Sequence, residues 1–184
     1  LRGDDGDDVL TGGVGNDRYF GGNGLDRITD GDGNDFADGG AGNDIISTGQ
    51  GNDNIFGGIG NDVILAGEDN DTVDGGSGAD NIQGGGGDDN ILGGVGNDVI
   101  SAQGGGDRVT GGGGNDVLRG GEGDDTAVWL TTVDQFVFSR SGSNLVVNHV
   151  DGTRAEGIDV VASDLETLTF AGQEFSFNEL FGAA

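Results

Sequence analysis

The sequence contains no cysteine, methionine, proline or lysine, and only one histidine, one tyrosine and one tryptophan. Without cysteine there is no disulfide framework, although a secreted chain can draw support from metal instead. Without thiolates, thioethers or clustered imidazoles, soft sites for zinc, copper or iron are excluded. Hydrophobic residues make up 32 % of the chain, and no run is long and apolar enough to span a bilayer. Basic residues are also scarce: seven arginines face 34 acidic side chains, for a formal net charge of −27. That balance disfavours nucleic acid and anionic membranes as partners and favours a multivalent cation. So little to bury and so much to repel would by themselves suggest disorder.

What the chain has instead is glycine, 44 residues of it, set in a strict period. The stretch Gly93-Gly94-Val95-Gly96-Asn97-Asp98-Val99-Ile100-Ser101 shows the unit, G-G-x-G-x-D-x-U-x with U a large aliphatic residue. It runs in phase through residues 3–128, fourteen copies without insertion or deletion. Position six is always Asp: Asp8, Asp17, Asp26, Asp35, Asp44, Asp53, Asp62, Asp71, Asp80, Asp89, Asp98, Asp107, Asp116 and Asp125. Position eight is always apolar, from Leu10, Tyr19 and Ile28 to Val109, Leu118 and Ala127. A flexible linker has no reason to keep one carboxylate in register so often, so the period dictates the architecture. Positions one, two and four are mostly Gly, read as sites of positive φ or close backbone approach. Position five is most often Asn, read as a residue that tolerates left-handed backbone.

Each unit is expected to be a six-residue glycine loop followed by about three residues of strand. Position eight then faces inward, and positions seven and nine face outward. Two nonapeptides close one turn of a solenoid, 18 residues per coil, with two short parallel sheets facing each other across a thin aliphatic core. Position one departs from Gly at Asp30, Thr48, Ala66 and Ala102, all in even-numbered units. Such parity is expected if odd and even loops line two different edges.

Rows of Asp on glycine loops offer only oxygen ligands, which select hard cations, and calcium above magnesium. Residues 1–128 hold 26 acidic and 5 basic side chains, a net of −21. Seven loops per edge leave six gaps, so the two edges have room for up to about twelve Ca2+ ions, close to cancelling that charge. One buried aliphatic side chain per nonapeptide is too little to order nine backbones, so metal binding and folding are expected to be coupled.

In tandem, these units resemble the RTX (repeats-in-toxin) haemolysin-type calcium-binding repeats over 126 of the 184 residues. The resemblance implies an all-β fold, a right-handed parallel β-roll. It implies calcium between consecutive loops of one edge, held by Asp carboxylates and loop carbonyls. One row of ligands is then Asp8, Asp26, Asp44, Asp62, Asp80, Asp98 and Asp116; the other is Asp17, Asp35, Asp53, Asp71, Asp89, Asp107 and Asp125. Carbonyl donors are expected from loops such as those of Gly12, Gly13, Gly15, Gly39, Gly40, Gly42, Gly57, Gly58, Gly60, Gly75, Gly76, Gly78, Gly93, Gly94, Gly96, Gly111, Gly112 and Gly114. Asp4 and Gln103 replace the second Gly of the unit, and Asp69 replaces the fourth, beside Glu68. The loops at 66–71 and 102–107 are therefore expected to be weak or altered sites.

After Val128 the pattern changes. Trp129 follows at once, and six of the nine Phe lie beyond it. Residues 135–140 and 145–150 read as a β-hairpin around a turn at 141–144. Asp151-Gly152 reads as another turn, 165–170 and 174–177 as two strands around Ala171-Gly172, and 178–181 as a short helical turn. Residues 129–184 are expected to form an antiparallel β cap on the roll of residues 1–128. Gly157-Ile158-Asp159 and Leu165-Glu166-Thr167-Leu168-Thr169-Phe170-Ala171-Gly172 resemble the segment that follows RTX repeats. That resemblance implies a capping segment and an uncleaved signal for the type I secretion machinery.

Catalytic motifs are missing: His149 has no partner motif, and there is no H-E-x-x-H, G-x-S-x-G or cysteine nucleophile. The glycine loops lack the lysine of a phosphate cradle, and their carboxylates would repel phosphate. The chain opens at Leu1, directly before the first repeat, and reads as the C-terminal part of a larger exported protein. The expected function is a non-enzymatic calcium-binding module, secreted to the extracellular space by bacterial type I export. It would stabilise or present an upstream domain of the same polypeptide, such as a protease, lipase or polysaccharide-modifying enzyme. The outward residues Val9, Ile45, Val63, Val99 and Val117 form an apolar stripe that leaves room for self-association. The alternative is an adhesive or surface-array module that binds glycan, cell surface or neighbouring copies in a calcium-dependent way.

Overall fold

The computed structural model describes residues 1–130, 136–141, 144–149, 157–162, 164–176 and 179–180. These residues form twenty strands in chain order: β1 (Arg2–Asp5), β2 (Val9–Thr11), β3 (Arg18–Asn23), β4 (Arg27–Thr29), β5 (Phe36–Ala41), β6 (Ile45–Gln50), β7 (Asn54–Ile59), β8 (Val63–Glu68), β9 (Thr72–Ser77), β10 (Asn81–Gly86), β11 (Asn90–Val95), β12 (Val99–Gly104), β13 (Arg108–Gly113), β14 (Val117–Glu122), β15 (Thr126–Trp129), β16 (Phe136–Ser141), β17 (Asn144–His149), β18 (Ile158–Val161), β19 (Thr167–Phe170) and β20 (Gln173–Ser176). Up to β15, odd-numbered strands enter one sheet and even-numbered strands the other, so successive nonapeptides alternate between two walls. Neighbours within a sheet are parallel and 18 residues out of phase, as in Ile46↔Ile64 and Ile82↔Ile100. The all-β roll expected from the period is therefore present. All fourteen position-eight side chains are buried in its core, Leu10 being the most exposed at 8 %.

β2 and β4 have the three residues expected, but β3 and β5 to β14 have six. β7 spans positions seven to nine of one nonapeptide and one to three of the next, six residues where three were expected. Only positions four to six remain as a bend. Alternation along the strand explains this: position six, position eight and the next position one all point inward, and the last has little room. A Cβ on Gly39 would lie 2.5 Å from the carbonyl oxygen of Gly57 and 2.6 Å from Oδ2 of Asp44. Gly39 has no positive φ, so it is required for space alone. Gly58, at position two, has φ 110°, and a Cβ there would strike the carbonyl of Gly40.

Position five also has a different role. Among the described residues no Asn has positive φ. Instead, its side-chain oxygen accepts the amide of the following coil: Asn34 Oδ1 from Asn52 at 3.1 Å, and Asn52 Oδ1 from Asn70 at 3.0 Å. Asn is there as an acceptor ladder between coils.

At the C-terminal end, β18 pairs in parallel with β14 (Leu118↔Val161) and β19 with β15 (Ala127↔Leu168). Antiparallel pairs follow: β17 on β18, β16 on β17, and β20 on β19. Trp129, Phe136, Phe138, Phe170 and Phe175 extend the aliphatic core here, with Trp129 stacked on Phe170 at 4.9 Å. Ser176 and Glu179 exchange the reciprocal bonds of a capping box at residues 179–180, which are helical. Gln135, the turn residues Gly142, Ser143, Asp151 and Gly152, and Asn178 and Phe181 of the expected helical turn lie outside the described residues, as does the side chain of His149.

Candidate metal centre

Position six sits at the end of each bend, where the chain turns inward. One oxygen of its carboxylate accepts the amide of the same position one coil earlier. On the odd edge, Asp26 Oδ1 accepts from Asp8 at 2.9 Å, Asp44 from Asp26 at 2.8 Å, Asp62 from Asp44 at 2.7 Å, and the ladder continues through Asp80, Asp98 and Asp116. On the even edge, it runs from Asp17 through Asp35, Asp53, Asp71, Asp89, Asp107 and Asp125. The fourteen Asp expected from the sequence thus stand in two continuous rows. All but Asp8 and Asp17 are at most 3 % exposed.

The other oxygen has no such partner. Oδ2 is buried without a hydrogen bond in every row member except Asp17. A buried carboxylate half satisfied in this way is costly in its ionised form. Burial pushes Asp35, Asp62 and Asp125 up to about 6, and Asp71, Asp89 and Asp98 up to about 7. Neighbouring carboxylates add to the rise, and the bonds from backbone amides oppose it. These oxygens call for a proton or a cation.

Backbone oxygens stand beside them. The point above Gly39 that lies near Asp44 Oδ2 is equally near the carbonyl of Gly57, and the same pairing recurs above Gly93, with Asp98 Oδ2 at 2.5 Å and Gly111 O at 2.6 Å. Gly75 O and Asp62 Oδ2 meet likewise above Gly57, and Gly93 O and Asp80 Oδ2 above Gly75. The carbonyl oxygens of Gly40, Gly58, Gly76 and Gly94 at position two, and of Gly15, Gly42, Gly60, Gly78, Gly96 and Gly114 at position four, each lie where a Cβ on a Gly of the following coil would strike them. Gly112 repeats the left-handed φ of position two in the last coil. At position two outside the strands, the carbonyl of Gly13 accepts the amide of Asp32 at 3.1 Å and that of Gly31 accepts the amide of Gln50 at 2.8 Å. Gly12 lies beneath the Tyr19 hydroxyl. A donor set of carboxylate and carbonyl oxygens suits calcium.

The two edges are not equivalent. Thr48, Ala66 and Ala102 fill position one on the inner face of β6, β8 and β12, all in one sheet, and each is fully buried. Thr48 donates its hydroxyl to the Ala66 carbonyl at 2.8 Å. The parity in the sequence therefore marks the inside of one wall. Asp4, Asp69 and Gln103 adopt φ of 74°, 75° and 86° where the unit has Gly. Left-handed backbone costs such residues about 1–2 kcal/mol each, so strain sits in the two loops expected to be altered.

Three acidic residues belong to the site that the period did not reveal. Asp116 donates its amide to Asp159 Oδ1 at 3.1 Å, and Asp125 donates its amide to Glu166 Oε2 at 2.8 Å. Asp159 and Glu166 thus take the position-six register of one more coil, with Val161 and Leu168 buried in the position-eight register. Gly157-Ile158-Asp159-Val160-Val161 fits positions four to eight of the unit, but it follows an insertion after Val128 and so lies out of phase with the fourteen units before it. The third is Asp30, which joins Asp17 and Asp35 with carboxylate oxygens all within 4.8 Å of one another. Its only sequence signal was its departure from Gly.

A two-walled β-solenoid edged by buried carboxylate and carbonyl oxygens is a calcium-binding β-roll. Residues 1–28, 20–55, 29–64, 48–82, 65–100 and 101–127 match the RTX calcium-binding nonapeptide repeat (4 copies), and the chain belongs to that family. No curated protein matches it. No helix among the described residues is long and apolar enough to cross a membrane.

Proposed function

We propose that this chain is the calcium-folded module of a larger secreted bacterial protein. Each ion lies between consecutive loops of one edge, held by position-six carboxylates and neighbouring loop carbonyls, with room for up to about twelve ions in the inter-loop gaps. The observation that carries this reading is the double row of buried Oδ2 atoms without hydrogen-bond partners. Residues 1–128 act as the calcium-binding roll, and residues 129–184 close it and carry the signal for type I export. A chain with a net charge of −27 stays unfolded where calcium is scarce, can be threaded through an exporter, and folds where calcium is millimolar. Its role is non-enzymatic: it stabilises or presents an upstream domain. Circular dichroism tests the coupling. The β-signal should be lost in EDTA and restored by millimolar calcium; an identical signal in both conditions would refute it.

A second reading, an adhesive or self-associating module, is favoured by the outer walls. Phe20, Phe36 and Phe56 form a row with ring centroids 5.5 and 5.7 Å apart, and Arg2 and Arg18 lie over the rings. On the other wall Val9, Ile45 and Val99 stay exposed in the apolar stripe. Calcium-dependent oligomers in light scattering would favour this reading, and a calcium-folded monomer would favour the first.

A further inference from the structure

The even edge begins with a cluster unlike the rest of either row. Asp30 occupies position one, where the regular unit has glycine, and so brings a third carboxylate to the gap between Asp17 and Asp35. Its Oδ1 accepts the amide of Gly13 at 2.7 Å, while its Oδ2 is buried without a hydrogen bond. Asp35 Oδ2 is in the same state, in a residue only 3 % exposed.

A second, independent feature points into the same space. Tyr19 stands at position eight, where most units have an aliphatic residue, and it is fully buried. Its hydroxyl reaches past the aliphatic core to the edge and makes no hydrogen bond of acceptable geometry. It meets Asp30 above Gly12, where an added Cβ would overlap the hydroxyl and lie 2.7 Å from Asp30 Oδ1. A buried phenol set against three clustered carboxylates, two of which keep a buried oxygen without a hydrogen bond, is a costly arrangement unless a cation or a proton joins it.

We propose that Asp17, Asp30 and Asp35, with the Tyr19 hydroxyl beside them, form a distinct three-carboxylate site for one hard cation, filled before the regular gaps. It rests on the reading of the rows as calcium sites, but it assigns Asp30 and Tyr19, which lie outside the position-six set. Affinity of an all-oxygen site rises with the number of charged ligands, so the third carboxylate raises it for calcium and more so for a trivalent lanthanide. Magnesium, which needs a rigid octahedron and keeps its water, is disfavoured.

Tyr19 is the only tyrosine, so it reports on this site. The single tryptophan, Trp129, lies in β15, six strands further along the wall from β3 and roughly 29 Å away at the usual strand spacing. The experiment is a terbium titration of the calcium-free full chain, read as aromatic-sensitised terbium emission, with calcium as competitor. The first equivalent should give tyrosine-sensitised emission. Tyr19→Phe should abolish that emission while leaving the number of bound ions unchanged. Asp30→Gly restores the residue of the regular unit, so the coil is kept, but the first equivalent should bind about tenfold or more weakly. Thr48→Gly, in the same column but removing no charge, should leave it unchanged. Unaltered affinity and emission in Asp30→Gly, or persistent early emission in Tyr19→Phe, would overturn the proposal. A chain that binds neither terbium nor calcium in any variant would instead overturn the calcium reading itself.

Discussion

Trp129 donates its indole N–H to Oδ2 of Asp159 at 2.8 Å, while Oδ1 of the same carboxylate accepts the amide of Asp116 at 3.1 Å. In the odd row, Oδ2 has no hydrogen-bond partner from Asp8 to Asp116; at Asp159 an internal donor takes the place that a cation would take elsewhere. The row thus ends on a tryptophan. Removing this buried bond to a charged group costs about 2 kcal/mol. Trp129→Phe should therefore lower stability in calcium by about that amount, measured by urea unfolding, with the ion count unchanged.

The spatial demand at position one gives a contrast between the walls. On the odd edge, Gly39→Ala places a methyl between Gly57 O and Asp44 Oδ2, at 2.5 and 2.6 Å. Overpacking of this kind costs roughly 1–3 kcal/mol, and calcium affinity should fall with it. On the even edge, Ala66→Gly only removes a methyl that is already accommodated, and should cost about 0.5–1 kcal/mol. Calcium titrations followed by circular dichroism would rank the two variants.

Most of the architecture was legible in the sequence, because Asp at six and an aliphatic residue at eight hold one phase for fourteen units. The length of the strands was not. Glycine at positions one and two reads as loop, and only the neighbouring coil shows that Gly58 and Ile59 pair as strand. Asn52 was read for its backbone, whereas its side chain is what the next coil uses. Asp159 and Glu166 were hidden by the insertion that breaks the phase. Asp30 was visible only as a missing glycine, since nothing in the sequence says that position one and Tyr19 share a space.

The strained substitutions can be relieved. Gln103 holds φ 86° at a position where the regular unit has Gly. Relief of about 1–2 kcal/mol of left-handed strain, less the greater freedom of an unfolded glycine, leaves Gln103→Gly more stable by roughly 0.5–1 kcal/mol. Asp69→Gly should gain similarly. A rise in melting temperature in calcium checks both.

Acid should act in opposite directions with and without metal. Asp71, Asp89 and Asp98 bind a proton up to about pH 7 in the metal-free roll, against 3.8 ordinarily, chiefly because they are buried. Their folded values are raised, so the metal-free roll has its full proton-linked stability below about pH 4 and loses it as pH rises through 7. In chelator, the β-signal at pH 5 should exceed that at pH 8. In limiting calcium the order should reverse, because protons compete with the ion for the same oxygens. Circular dichroism at both pH values, with and without chelator, decides it.

The most direct test of the two-row site is equilibrium dialysis of the full chain against calcium, with bound ions counted alongside the β-signal. The expected result is several ions per chain, up to about the twelve that the gaps allow, bound over the same narrow calcium range in which the β-signal appears. A chain that is fully folded with no calcium bound, or that binds its ions without any change in structure, would contradict it.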